Sequence, residues 1–161
     1  MTIVVTGHRP NKLGFEYGLI GPYTRHLETE TEAIVNEYKP DRIITGLALG
    51  YDQIVALLAI RLGIPLTIAI PCVNQDKKWP PLSKSLYQYL YEHAIIKHWV
   101  SKEPYNNHCM QDRNVWMVDQ LIKDDFLLAA SDGTPGGTAN CIEYAISKNK
   151  NIKYINPKSW I

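Results

Sequence analysis

Asp132-Gly133-Thr134-Pro135-Gly136-Gly137-Thr138-Ala139-Asn140-Cys141-Ile142-Glu143-Tyr144-Ala145 lies between two apolar segments of different period. Ahead of it, Phe126-Leu127-Leu128-Ala129-Ala130 is a continuous apolar run of strand length. Behind it, Cys141, Ile142, Ala145 and Ile146 fall on one helix face. The glycines therefore occupy a strand-to-helix turn. Such a turn gathers backbone N–H groups and the positive end of a helix dipole at one point, where a phosphate or carboxylate binds without any basic side chain. Adjacent Gly136 and Gly137 let a ligand come close, because no Cβ stands in the way. A plain tight turn uses the same residue types, so the surrounding chain has to decide between the two.

Working outward, the strand, turn and helix pattern recurs. Thr2 to Thr6 is a β-branched run stopping at Gly7, and its consecutive apolar residues suit a central strand covered on both faces. A loop from Gly7 to Gly14 follows, then a helix over Leu19 to Tyr38 that ends at Pro40. Arg42 to Gly46 predicts a second strand, Gln53 to Leu62 an apolar helix closed by Gly63, and Leu66 to Ile70 a third strand. A polar loop extends from Pro71 through Pro81, and a helix is expected from Ser83 to His93. Ile95 to Val100 predicts a fourth strand, placed at an edge by Lys97 and His98. Cys109 to Ile122 is a predicted helix buried through Val115, Val118, Leu121 and Ile122, and Ile152 to Ile155 a last strand.

Strands alternating with helices through one domain, residues 1–161, imply an α/β fold. It is a Rossmann-like three-layer arrangement with a mostly parallel central sheet and helices on both faces. Sheets of this kind bind ligands at the carboxyl ends of their strands. Those ends carry Gly7-His8-Arg9-Pro10, Gly46-Leu47-Ala48-Leu49-Gly50, Pro71-Cys72-Val73-Asn74-Gln75, and Asp132 to Thr138. Several loops rich in glycine or polar groups thus converge on one rim, which a purely structural turn does not require.

Composition narrows the partners. Lys and Arg total 17 against 16 Asp and Glu, so no basic field gathers long nucleic acid. The 3 cysteines, Cys72, Cys109 and Cys141, form no C-x-x-C pair and suit buried thiols in a reducing cytosol. No apolar run reaches membrane-spanning length and no signal peptide opens the chain, so the expectation is a cytoplasmic protein without a membrane partner. The histidines and cysteines have no metal-ligand spacing, no phosphate-loop NTPase signature is present, and no metal or cofactor is expected.

Among the rim residues, Arg9 suits fork-like hydrogen bonding to phosphate or carboxylate, or else a surface ion pair. His8 offers a ligand hydrogen bond or an acid–base group, and a lone His equally serves structure. Gly46 and Gly50 flank a helix start that offers a second backbone anion site. Asp52 is placed there to reach a ribose hydroxyl or simply to favour the helix dipole. Gln75 can read a base edge, and Trp79 can stack on a base or belong to the core. Arg113 and Asn114 lie on the helix before the glycine turn. Asp132 either binds sugar hydroxyls or caps its own loop. Glu143 reaches the ligand only if its helix face points inward; solvent exposure is the rival.

Thr6-Gly7-His8-Arg9-Pro10, Gly46 to Gln53, Gln75 with Trp79, and Asp132-Gly133 with Pro135-Gly136-Gly137-Thr138 together resemble the SLOG superfamily, more narrowly its YpsA-like branch. The resemblance spans nearly the whole chain. It implies a Rossmann-like fold that binds nucleotides or their derivatives, usually as a homodimer or larger assembly in a bacterial or phage-infected cytosol. The superfamily includes the LOG phosphoribohydrolases, which cut the N-glycosidic bond of nucleoside monophosphates. Their Arg-Lys-x-x-Met helix is matched by Arg113-Asn114-Val115-Trp116-Met117, with Asn114 in place of lysine. Their Pro-Gly-Gly-x-Gly-Thr-x-x-Glu turn is matched by Pro135 to Glu143, with Ala139 for the third glycine and Asn140 for the threonine. The resemblance thus implies Arg113 and Glu143 as a catalytic pair, and Gly136 and Gly137 as phosphate contacts. The leading expectation is a protein that senses or sequesters a nucleotide or nucleotide-derived small molecule, with Asp132 and Gln75 fixing sugar and base; a phage-type protein acting on a second messenger, cyclic or ADP-ribose-derived, is one form of it. Its rivals are an N-glycosidic hydrolase and a ligand-free interaction module.

Overall fold

The computed structural model describes residues 1–159. Its elements run β1 (Thr2–Gly7), a 3-10 turn (Pro10–Lys12), α1 (Pro22–Tyr38), β2 (Arg42–Thr45), α2 (Tyr51–Leu62), β3 (Leu66–Ile70), α3 (Pro81–His93), β4 (Ile96–Trp99), α4 (Cys109–Asp119), β5 (Phe126–Ala130), α5 (Gly137–Ser147) and β6 (Asn151–Ile155). The six strands form one sheet in the order β4-β3-β2-β1-β5-β6. Every pairing is parallel, so the expected mostly parallel sheet is wholly parallel.

Alternation along the strands sorts the core into two layers. Ile3, Val5, Ile43 and Leu128 pack on one face with α1, α2 and α3. Val4, Ile44 and Leu127 pack on the other with Met117 and Val118 of α4 and Cys141 and Ala145 of α5. Side chains of successive strand residues point to opposite faces, so strands covered on both sides need apolar or β-branched residues along their length. The fully buried β3 and β5 meet that need, whereas β4 lies at the sheet edge and is only partly covered, as Lys97 and His98 foretell. The cysteines are all free and buried.

Several boundaries move for physical reasons. Helix α1 starts at Pro22 instead of Leu19, because Leu19 and Gly21 hold φ of 54° and 149°, and proline suits the first helical position. Helix α4 stops at Asp119: the N–H groups of Gln120 and Leu121 turn to Met117 and Val118 oxygens, and Ile122 is left exposed instead of buried. On α5 the buried stripe is Thr138, Cys141 and Ala145, with Ile146 turned to solvent. No helix among the described residues is long and apolar enough to cross a membrane.

Candidate functional site

The strand order reverses at β1, which has β2 on one side and β5 on the other. Parallel sheets leave a crevice at such a point, because the connections on either side run to opposite faces. A cleft of about 220 Å³ opens there. Its walls come from the end of β1 and the loop after it (Thr6 to Arg9, Asn11, Lys12), Ala48 and Asp52 at the start of α2, Met110, Arg113 and Asn114 on α4, and Pro135 to Thr138 at the start of α5.

Helix α5 begins without a side-chain cap. Its first backbone hydrogen bond runs from Asn140 N to Gly136 O at 3.0 Å. The N–H groups of Gly137, Thr138 and Ala139 consequently have no partner among the described residues, as expected where a helix lacks a capping oxygen. Gly136 takes φ 145°, a conformation costly for any side chain, to bring the chain into the helix. Lys12 braces this turn by donating to Thr134 Oγ1 at 2.7 Å and Pro135 O at 2.8 Å.

Below the turn, α4 supplies the buried end of the cleft. Arg113 is only 6% exposed. It donates through Nη1 to Gly46 O and through Nη2 to Asn114 Oδ1, both at 3.3 Å, while its buried Nε finds no partner. Asn114 in turn donates to Gly137 O at 3.3 Å, so it couples the guanidinium to the glycine turn. No carboxylate of the described residues lies within ion-pair distance of Arg113. Burial lowers its pKa, against the opposing pull of Asp52. Asp52, itself buried, accepts the Ala48 N–H at 3.2 Å. Burial pushes its carboxyl up to about 6, a shift that Arg113 and neighbouring backbone donors only partly offset. The lining thus holds three cationic side chains, Arg9, Lys12 and Arg113, against one carboxyl group.

No protein-family model matches the chain. Over 130 residues it is 32% identical to an uncharacterized SPbeta prophage-derived protein, YoqJ, of Bacillus subtilis (strain 168), a match that covers 71% of this chain and 74% of that protein. The chain belongs to the YoqJ family.

In this YoqJ-family chain the cleft gathers Gly7, His8, Arg9, Ala48, Asp52, Arg113, Asn114, Gly136, Gly137 and Thr138 from the rim residues anticipated in the sequence. The others lie elsewhere. Leu47 is fully buried in the core. Gly46 and Gly50 face inward: a Cβ on Gly46 would lie 2.6 Å from Arg113 Nε, and one on Gly50 2.5 Å from His8 O. Gln75 donates to Gly46 O and to the Tyr87 hydroxyl, each at 3.4 Å, and Trp79 packs edge-on against Tyr87. Glu143 is exposed on α5 and outside the lining.

Asp132 and Gly133 also stand outside the lining, and the aspartate works as a clamp. It accepts from Thr134 N at 3.0 Å and Thr134 Oγ1 at 2.6 Å, and Lys158 Nζ lies 3.2 Å from its other oxygen. Burial acts to raise its pKa, yet Thr134, Lys158 and His8 together hold the carboxylate well below the usual range. His8 Nε2 sits 2.7 Å from Asp132 Oδ1 and 2.8 Å from Asp132 N. A single ring nitrogen serves only one of these at a time: protonated, it donates to the carboxylate; bare, it accepts the backbone N–H. Burial lowers the His8 pKa, with Asp132 opposing, so the ring stays neutral at neutral pH. Thr6, Asn11, Lys12, Met110 and Pro135 join the cleft without having been singled out in the sequence. Thr6 and Pro135 had a signal, since both stand in the motifs that carry the resemblance.

Proposed function

We propose that the protein binds a nucleotide or nucleotide-derived small molecule, with its phosphate on the N-terminus of α5. The observation that carries this reading is the set of uncapped N–H groups at Gly137, Thr138 and Ala139, opening on a cleft that also holds Arg9, Lys12 and Arg113. Arg113 adds weight of its own. A guanidinium has five N–H donors, and a buried one with no carboxylate within ion-pair distance among the described residues favours an incoming anion. Asp52 replaces Asp132 as the acceptor for sugar hydroxyls, since Asp132 is committed to Thr134 and Lys158. The SLOG-like motifs support a protein that senses or sequesters a nucleotide, such as a second messenger, and the prophage-derived relative supports its being of phage type. The same motifs carry the expectation of a homodimer, which sedimentation velocity tests.

Isothermal titration calorimetry with nucleoside mono- and diphosphates, cyclic nucleotides and ADP-ribose tests the binding. The expected result is affinity for at least one of them, weakened by added salt because exposed Arg9 and half-buried Lys12 contribute through screened charge. An absence of heat for every member of the set contradicts the reading.

One observation favours a second reading, hydrolysis of the N-glycosidic bond: the Asp52 carboxyl lies in the cleft beside the field of Arg113. There Asp52, in place of the exposed Glu143, would face the cationic sugar of the transition state. Release of free base from a nucleoside monophosphate, lost in Asp52→Asn and kept in Glu143→Gln, is its signature.

A further inference from the structure

The base of the ligand has no evident place in the cleft. At about 220 Å³ the cleft is smaller than the roughly 300–1,000 Å³ of pockets that enclose a whole drug-sized ligand. No Phe, Tyr or Trp side chain lines it among the described residues, and the one ring that does, the buried His8 imidazole, is tied to Asp132, whereas proteins that hold bases do so largely by stacking them on aromatic faces. The two side chains the sequence offers for a base are engaged elsewhere. Gln75 is buried against Gly46 O and the Tyr87 hydroxyl, and the Trp79 ring meets Tyr87 at a centroid distance of 5.5 Å.

Amide readout is equally constrained. The Asn114 amide is taken up by Arg113, Gln111 and Gly137. Asn11 is exposed, where water competes for its hydrogen bonds. What the cleft does present is matched to a phosphorylated sugar: free N–H groups on α5, the buried Arg113 with its unpartnered Nε, a carboxyl group at Asp52, and the hydroxyls of Thr6 and Thr138.

We propose that the cleft recognises the phosphorylated sugar and leaves the base outside. The ligand class is then a sugar phosphate, or any nucleotide that presents one, whatever its base. This inference rests on the phosphate-binding reading above and goes beyond it by naming the recognised portion. Selectivity comes from the N–H groups of Gly137 to Ala139, Arg113 and Asp52, none of which reaches a base edge when the phosphate sits on α5 and the sugar fills the remaining volume.

Calorimetry on the intact protein with ribose 5-phosphate, AMP, GMP, CMP and UMP tests it, with ribose and adenosine as phosphate-free controls. The expected result is that the five phosphates bind within about threefold of one another, and that both controls are weaker by about tenfold or more. Discrimination of about tenfold or more among the bases overturns the inference. AMP binding without ribose 5-phosphate binding does the same, while the phosphate-binding reading survives. If none of the five binds, the inference is overturned, and the phosphate-binding reading falls with it only when the diphosphates, cyclic nucleotides and ADP-ribose give no heat either. Trp79→Ala, checked for folding by circular dichroism, is expected to keep its AMP affinity within about twofold; a loss of about tenfold contradicts the proposal.

Discussion

The molecule contains two glycine turns at corresponding places, each joining the end of a central strand to a helix, and they do opposite things. Around Gly46 and Gly50 the space is filled from inside, by the Arg113 side chain at one glycine and the His8–Arg9 backbone at the other. The helix start there is also partly satisfied from within the protein, because Tyr51 N donates to His8 O at 3.2 Å and Gln53 N to Gly50 O at 3.1 Å. Around Gly136 and Gly137 the space is open. A Cβ on Gly137 would meet nothing within 4 Å, and one on Gly136 only the Lys12 amine at 3.5 Å. Glycine in a strand-to-helix turn therefore marks two different needs, close approach of the protein to itself and close approach of a ligand. Only the neighbouring chain shows which is served.

Substitution of the glycines probes this contrast with the largest expected effect. At Gly50 an alanine meets both a φ of 92° and the His8 carbonyl at 2.5 Å, so Gly50→Ala should cost about 3 kcal/mol or more in urea unfolding. Gly137→Ala should change stability by no more than about 0.5 kcal/mol while lowering nucleotide affinity about tenfold. Equal stability losses at the two positions would dissolve the distinction.

Arg113→Met comes next. It removes the buried cation, and with it a hydrogen bond to Gly46 O, while leaving the Gly136–Gly137 backbone in place, and the affinity for AMP should drop about 100-fold. Retained affinity would assign Arg113 to packing against Gly46 alone.

Asp52 gives the pH dependence. Its carboxyl is raised from 3.8 to about 6 in the folded protein, so the folded form holds the proton more tightly than the unfolded one. Its stabilising contribution is complete below about 3.8, declines as pH rises through about 6, and amounts to about 3 kcal/mol at most. Asp52→Asn should flatten stability between about pH 3.8 and about pH 6. Sulfate keeps its charge across this range, and its affinity for the unsubstituted protein should weaken as the pH climbs through about 6 and Asp52 ionises. A sulfate profile of the same slope in Asp52→Asn would remove the carboxyl from the site.

The smallest effects belong to the rim. Lys12→Ala loses exposed hydrogen bonds to Thr134 and Pro135, and should weaken AMP binding about threefold with a stability change near 0.5 kcal/mol. Glu143→Gln, on the exposed face of α5, should leave affinity unchanged in the same titration.

The strand and helix order was legible because buried parallel strands are rich in apolar and β-branched residues without polar alternation, as β1, β3 and β5 are. The position of the rim followed, since parallel strands point their carboxyl ends one way. What periodicity could not convey was the direction of individual side chains. Gln75 and Trp79 stand on a rim loop yet turn toward Tyr87, because α3 packs beneath that loop. Asp132 follows β5 directly, but the Thr134 hydroxyl two residues on captures its carboxylate. Glu143 keeps its spacing from the glycines, while the helix wheel carries it away from the Thr138, Cys141 and Ala145 stripe. Lys12 went unnoticed because its role depends on a 3-10 turn that aims it across to Thr134, a contact 122 residues distant in sequence.

The most direct test is an amide-resolved NMR titration with AMP. The largest shifts should fall on the N–H groups of Gly137, Thr138 and Ala139, together with the Arg113 Nε–H, while Gly46 and Gly50 move little. Shifts centred on the Gly46–Gly50 turn, or no shifts at saturating nucleotide, would contradict that expectation.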